Sequence, residues 1–568
     1  MSAKVPARRR QFDPRLFALI VLAAALSSAG RPQGSQRSAS WDAALAGPVK
    51  GWMEEAAVPG IAVAVIEDGR LAWQGAFGTR NADTGEPVTE ATVFEAASLS
   101  KPVFAYAVMK LVDTGTIQLD RPLAEYLAGA DLQKVYPAAA AGDARWKAIT
   151  ARMVLTHSTG FPNWFGGAPM RFLFDPGGRF SYSGEAYSLL AAACAAATGR
   201  SFDELMQELV FGPLEMKSSS YVWRSDYEGR VTAGHDLLGK TTPRPRSTRA
   251  LPGASLYTTA GDYGRFLVAL GAGEGLARAT WQAMTSPQIQ VLDRNGKPCF
   301  SWGFGVGVNR SGGDTTLWHW GDNGDLNAYF EIIPARKRGV VIFLNGANAH
   351  ALTPLVTRRV LGLATPAIAT SYFRYATLDS PGMAMTRAFR ARGIAGAVEV
   401  ASANPERLTA ADSPELQRLM VLSDAALRAG DLAGARAALE FVIARSPSSA
   451  TGHLRLGGVR LAQGDRAAME TSFEKALSID KNQEGRLNSL GYTLLRLGRV
   501  DEAIVVFEYN AGKYPQSANV YDSLAEALEK KGDRRQAIRN YARALSMGDP
   551  DPSSSSYQAL KRLLSEKQ

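Results

Sequence analysis

Residues 95–114 read EAASLSKPVFAYAVMKLVDT, and within them Ser98 and Lys101 stand three apart at the start of an apolar run. Three residues is nearly one helical turn, so the two side chains share a face if a helix begins near position 98. Pro102 suits such a start, because first-turn amides have no intrahelical acceptor to lose. A serine beside a lysine can act as nucleophile and base, provided that burial or a second cation lowers the lysine's pKa. The spacing alone decides nothing, since Ser472/Lys475 and Ser478/Lys481 repeat it. Its meaning depends on what accompanies it elsewhere in the chain.

A chain of 568 residues exceeds what one hydrophobic core supports, so two or more domains are expected. With 46% hydrophobic and 21% charged residues the composition is globular, which excludes disordered and collagen-like classes. The formal charge is +10, but residues 1–29 hold Lys4, Arg8, Arg9, Arg10 and Arg15 against Asp13 alone. Outside that segment there is no basic block and no basic–aromatic interleaving, so nucleic acid is not an expected partner.

The same segment bears on location. MSAKVPARRR leads into LFALIVLAAAL and then SSAG, with the small residues Ser27 and Ala29 placed for signal peptidase. The apolar part is short of the ~20 residues needed to span a bilayer. The reading is a cleaved export signal over 1–29 and a periplasmic or secreted protein, with membrane attachment only if the signal is uncleaved. RRQF at 9–12 also suits a twin-arginine signal, although Asp13 and Pro14 depart from its usual continuation. Cys194 and Cys299 are the only cysteines. Cys194, in LLAAACAAATG, reads as a small buried apolar side chain; whether the two thiols pair is left open. With no Cys/His cluster, neither a metal nor another cofactor is expected.

The C-terminal part repeats itself. Gly430, Gly464, Gly498 and Gly532 are spaced 34 apart, as are Leu422, Leu456, Leu490 and Leu524. That period is the one of the tetratricopeptide repeat, a pair of antiparallel helices joined by a tight turn. Ala435, Ala503 and Ala537 recur where helices approach closely, Leu439, Phe473, Phe507 and Tyr541 as larger knobs, and Pro447 and Pro515 as stops. Four repeats are expected over 416–551, at about 416–449, 450–483, 484–517 and 518–551. A capping helix around Tyr557–Leu564 and a tail fill 552–568. Such arrays commonly offer a concave surface to a protein partner. The two spare Ser-x-x-Lys matches fall in these helices or at their edge and reflect composition.

Upstream, IAVAVIEDGRLAWQGAFG (61–78) reads as two strands around Asp68-Gly69, a dipeptide suited to a two-residue hairpin turn. LNAYFEIIPARKRGVVIFLN (326–345) gives two more around Pro334–Gly339. The chain between reads as mostly helical. One antiparallel sheet built from both ends, with helices packed around and inserted between, makes an α+β domain at 42–365. Residues 30–41 read as linker, and 366–415 as linker plus a helical stretch that includes MTRAFRARGIAGAVEVA.

Two further stretches give SLSK its company. RFSYSGEAYSLLAAA puts Tyr182 and Ser183 at a turn before a helix, and LWHWGDNGDLNAYFEIIP puts His319-Trp320-Gly321 ahead of the strand pair. The order SLSK, LTHSTG, YSG, HWG resembles the serine β-lactamase and penicillin-binding-protein superfamily, in particular its class C β-lactamase and family VIII esterase-like branch. The resemblance covers roughly 42–360 and is supported by TIQLDRPLAEYL, FGPLEMKSSSY and ALPGASLYTTAGDYGRF. It implies Ser98 as the acylated nucleophile, Lys101 as the residue sharing its proton, and Tyr182 as partner base. It implies an oxyanion hole from the backbone N–H groups of Ser98 and Asp322, the latter on the sheet edge. Gly184, Trp320 and Gly321 would line the substrate. His157 reads as scaffold and Glu185 as a solvated or capping residue. Arg310-Ser311-Gly312 imitates a cation-x-Gly motif but lacks the turn and strand that follow His319.

The match departs from the family pattern twice. Gly184 stands where the Tyr-x-Asn motif has asparagine, and His319 where β-lactamases have lysine. An imidazole is only partly charged near neutrality and holds a substrate carboxylate less reliably than lysine does. The resemblance implies a serine hydrolase that cleaves an ester or amide through an acyl-enzyme, and the N-terminal segment implies that it is exported. The alternatives are a penicillin-binding D-alanyl carboxypeptidase or β-lactamase, and a catalytically silent ligand-binding scaffold.

Overall fold

The computed structural model describes residues 33–130, 136, 143–165, 170–244, 246–408, 413–547 and 554–565. The export segment expected at 1–29 lies outside them. No helix among the described residues is long and apolar enough to cross a membrane. The chain divides into two compact units, Met1–Tyr375 and Ala376–Gln568.

The first unit is built on a nine-stranded antiparallel sheet. Its order runs Glu86–Pro87, Arg70–Asn81, Gly60–Glu67, Arg338–Leu344, Asn327–Ile333, Asp314–Asp322, Gly307–Ser311, Pro298–Trp302, Ile289–Leu292. The first and last long strands of the unit lie side by side, with Ile61 opposite Leu344 and Val65 opposite Val340. GIAVAVIE and RGVVIFL are β-branched and buried almost throughout, as strands covered on both faces must be. The first hairpin turns where expected: Asp68 and Gly69 both have positive φ, 55° and 74°. Helices Gln33–Ala56, Ala260–Ala272 and Thr353–Leu361 pack against the sheet.

Two expectations need correction. The span between the hairpins is not only helical, because Ile289–Leu292, Pro298–Trp302 and Gly307–Ser311 extend the sheet beyond Asp314–Asp322. His319-Trp320-Gly321 precedes the Asn327–Ile333/Arg338–Leu344 strand pair, as expected, and itself lies in the strand Asp314–Asp322. Asp322 ends an interior strand rather than marking the sheet's edge. Arg310-Ser311 sits at the opposite end of that hairpin, where Ser311 pairs with Asp314. Residues 366–375 belong to the first compact unit.

The helix that follows Ser98, Ser100–Asp113, is buried continuously from Ser100 to Met109. A helix apolar on all sides belongs in the middle of a core. Its Phe104, Tyr106 and Met109 share one cluster with Leu189, Leu190, Phe266, Phe330 and Phe343. Lys101 is the sole charged residue in that buried run, and its environment follows from this placement.

The second unit is all helix among its described residues. The pairs Pro414–Arg428/Leu432–Arg445, Ala450–Ala462/Arg466–Ile479, Glu484–Arg496/Val500–Lys513 and Ala518–Lys531/Arg534–Ser546 are followed by Ser555–Ser565. Each pair turns on one of the periodic glycines, whose φ values of 83°, 85°, 74° and 88° a side chain would resist. Phe473 and Phe507 are fully buried, and each presses on a glycine of the preceding helix, Gly457 and Gly491. Ahead of the pairs, Pro381–Ser402 is interrupted at Arg392 and Gly393.

Candidate active site

Ser98 does not open the α-helix but sits in a 3-10 turn, Ala97–Leu99, that leads into it. Ala97 takes a positive φ of 47°, a strained value for alanine. The turn is held from outside. Tyr263 Oη donates to the Leu99 carbonyl (2.9 Å), Tyr221 Oη donates to the Ser100 carbonyl (2.7 Å), and Ser100 Oγ accepts from the Leu256 amide (3.0 Å). Ser98 itself remains half-buried while its neighbours are covered.

Lys101 is fully buried, and its Nζ donates to Ser98 Oγ (3.1 Å) and to the Gly253 carbonyl (2.7 Å). It forms no ion pair with a carboxylate among the described residues. Tyr182, Tyr187 and Trp164 surround it, with ring centroids 4.6, 5.6 and 6.0 Å from Nζ. Desolvation brings its pKa down from 10.5 to about 7. The condition set for a lysine base is thereby met by burial alone.

Tyr182 is half-buried as a residue, and its hydroxyl is buried without a formed hydrogen bond. Burial raises its pKa well above 10, and the nearby Ser98 hydroxyl opposes that rise. Two bonds from one residue fix the tyrosine's backbone: the Ser181 amide donates to the His157 carbonyl (2.7 Å) and the Ser183 amide to His157 Nδ1 (3.1 Å). His157 takes a φ of 54° to do this, and its ring lies 4.3 Å from that of Tyr182. LTHSTG is thus scaffold, and specifically scaffold for Tyr182. Glu185, in the first turn of helix Glu185–Thr198, accepts from the Phe165 amide (3.4 Å) and from Tyr136 Oη (3.2 Å), so it anchors a loop.

His319 is fully buried, with its ring 6.1 Å from Tyr182. Its Nδ1 lies 2.7 Å from the Trp320 carbonyl, which can only accept, so Nδ1 carries the proton and Nε2 presents a lone pair. Burial and the Lys101 charge hold its pKa well below 6.5. The ring is therefore neutral at neutral pH, not partly charged as the sequence suggested. Trp320 stands 4.8 Å from Tyr182. Gly321 passes so close to the serine turn that a Cβ there would lie 2.5 Å from the Ala96 carbonyl and 3.3 Å from the Ser98 amide nitrogen. Only a glycine allows this approach, which brings the Gly321–Asp322 backbone alongside the amide of Ser98.

Ser98, Lys101, Tyr182, His319, Trp320 and Gly321 are thus brought together from a 3-10 turn, a core helix, a loop and an interior strand. Gly184 joins them through its contact with Trp164. Sequence reading missed Gly253, Trp164 and the segment around Tyr372–Tyr375. Phe373 lies 4.9 Å from Trp320, and Tyr375 Oη donates to Asp322 Oδ2 (3.0 Å). ALPGAS contained the signal for Gly253, since a glycine in that loop lets its carbonyl meet the lysine. The two cysteines are free, Cys194 buried and Cys299 half-buried.

The stretch of chain that holds these residues is similar to known proteins. Penicillin-binding protein 4 of Amycolatopsis lactamdurans is 26% identical over 340 residues, covering 54% of this chain and 85% of that protein. Esterase EstB of Burkholderia gladioli is 26% identical over 308 residues, 44% of this chain and 76% of the esterase. The D-alanyl-D-alanine-carboxypeptidase/endopeptidase AmpH of Escherichia coli (strain K12) is 27% identical over 228 residues, 37% of this chain and just 56% of AmpH. Tetratricopeptide-repeat models match residues 420–484 and 520–553, and the beta-lactamase model matches residues 45–364. With more than half of its length so matched, the chain belongs to the beta-lactamase family of serine hydrolases and carries tetratricopeptide repeats behind the hydrolase domain.

Proposed function

We propose that the first unit hydrolyses an ester or amide through an acyl-enzyme on Ser98, and that the protein does so outside the cytoplasm after export by residues 1–29. One observation carries the chemistry: a fully buried lysine with no carboxylate paired to it among the described residues, its pKa about 7, hydrogen-bonded to a half-buried serine. Burying an ammonium costs several kcal/mol unless it is neutralised, and a neutral amine at hydrogen-bond distance is a competent base for the hydroxyl. Lys101 Nζ takes the Ser98 proton as Oγ attacks the carbonyl. The Ser98 and Asp322 amides receive the developing oxyanion. Tyr182 Oη relays the proton to the leaving group and, after departure of that group, helps water attack the acyl-enzyme. Trp320, Gly321 and Gly184 line the substrate.

Within this chemistry the site favours esters, and amides without a carboxylate handle. His319 offers a lone pair instead of a cation, so a penicillin or D-peptide carboxylate finds no charge there. The esterase relative supports this reading, while the penicillin-binding and carboxypeptidase relatives support peptidoglycan-type amides. The repeats supply the surface for a protein partner.

The deciding experiment is the intact mass of the protein and of Ser98→Ala after separate exposure to a penicillin and to p-nitrophenyl acetate. An acyl adduct on the wild type alone identifies Ser98, and the donor that leaves it separates the two enzyme readings. No adduct and no turnover from either donor would refute the acyl-enzyme and leave a silent ligand-binding scaffold.

A further inference from the structure

We propose that Trp164 selects the acyl group, by setting a flat apolar wall beside the scissile carbonyl in the space that a side chain at position 184 would otherwise fill. This rests on the acyl-enzyme reading above and names the substrate class: esters whose acyl portion carries a flat or bulky apolar group. The space is occupied, not open. A Cβ built on Gly184 would lie 2.5 Å from Trp164 Cζ2 and 2.6 Å from Cη2, so no other residue fits at 184 while the indole is in place. The Gly184 backbone is hemmed in from the other side as well, because a Cβ on Gly253 would come within 3.0 Å of the Gly184 carbonyl. Gly253 is the residue whose carbonyl receives Lys101 Nζ.

The indole is held in a built position. Asn163 accepts the Gly184 amide on its backbone carbonyl (3.1 Å) and on Oδ1 (2.8 Å), and its carbonyl also takes the Glu185 amide (2.9 Å). Ser183 Oγ donates to the Pro162 carbonyl (2.8 Å), and the Phe165 amide donates to Glu185 Oε2 (3.4 Å). The residues on both sides of Trp164 are therefore tied to the 183–185 turn. Phe165 next to it is buried, yet Trp164 keeps 40% of its surface exposed. A large aromatic left open between residues tied to the 183–185 turn, 6.0 Å from Lys101 Nζ, presents its face to whatever is bonded to the carbonyl at Ser98. Polar recognition at 184 has been exchanged for stacking and burial.

The test compares kcat/KM for p-nitrophenyl phenylacetate and p-nitrophenyl acetate, so that the leaving group is constant and the ratio is insensitive to how much of each preparation is folded. The wild type should prefer phenylacetate. Trp164→Ala should lower the ratio about tenfold, and Trp164→Phe, which retains a ring, should lower it less. Gly184→Ala should lower it in the wild type by displacing the indole, and should change it little in the Trp164→Ala background. A ratio that Trp164→Ala leaves unchanged, or an equal effect of Gly184→Ala in both backgrounds, would overturn the assignment of Trp164. Wild-type protein that neither turns over these esters nor is labelled at Ser98 by a fluorophosphonate would instead overturn the acyl-enzyme reading, and this proposal with it.

Discussion

Ester turnover should rise through neutrality, and the titrating group should be Lys101. Burial brings its ammonium from 10.5 to about 7, a cost to the charged form of ~5 kcal/mol. At pH 7 an exposed lysine is neutral in about one molecule in 3,000, whereas Lys101 is neutral in about half. A base must be unprotonated to act, so kcat/KM for p-nitrophenyl acetate should increase about tenfold per pH unit below 7 and level off above it. The two imidazoles at the site do not confuse the assignment. His157 and His319 are both held well below 6.5, mainly by burial, so their titration is moved away from the inflection expected for Lys101. Glu331 does titrate near 7, but it lies on the Asn327–Ile333 strand with Thr316 and Tyr329 as partners, so Glu331→Gln should keep the inflection. Initial rates between pH 5.5 and 9.5, followed at the nitrophenol isosbestic wavelength, read the profile directly. Lys101→Arg keeps its charge at every pH and should lose on the order of 10³ in rate. A flat profile between pH 6 and 8, or an arginine variant as fast as wild type, would refute the lysine as base.

Two predictions concern stability. Glu331 is fully buried, and desolvation raises its carboxyl to about 7 although Thr316, Tyr329 and the Ala367 amide donate to it. A raised folded-state pKa favours the protonated native state, so this contribution is present at pH 4 and lost as pH rises through 7. Urea unfolding of the wild type should show up to ~3 kcal/mol of decline over that interval, and Glu331→Gln should flatten it. In the repeats, Phe473→Ala empties a fully buried site against Gly457 and should cost about 3–5 kcal/mol, read as a lower-melting helical transition by circular dichroism.

What could be read from the sequence was local, and what escaped depended on distance along the chain. SLSK, YSG and HWG are each short local patterns, and it is their order along the chain that sets SLSK apart from the two Ser-x-x-Lys copies in the repeats. The repeat glycines are legible because each occupies the same left-handed turn. The strands Ile289–Leu292 and Gly307–Ser311 escaped because they are short and carry polar residues, Gln290 and Arg310, on their more exposed positions. The Lys101–Gly253 bond joins residues 152 apart, and no local pattern announces it. Tyr372, Phe373 and Tyr375 lie in a stretch rich in Thr, Ser and Pro that reads as linker. Their rings are nonetheless placed against Trp320 and His350.

The two departures from the family pattern make one change when their surroundings are considered. A lysine at 319 would need water or a carboxylate near its charge, but His319 is sealed among Trp302, Trp320 and Tyr182, where only a neutral ring is tolerated. An asparagine at 184 would need the volume that Trp164 fills. Restoring either residue alone therefore places a polar group into an apolar wall without a partner. A substrate carboxylate brought to the same wall meets the same penalty, several kcal/mol for a desolvated anion beside an uncharged imidazole. An ester of an apolar acid brings no such charge. The expected order, faster acylation by activated esters than by penicillins, follows from the cost of burying the carboxylate and does not require any loss of power at Ser98.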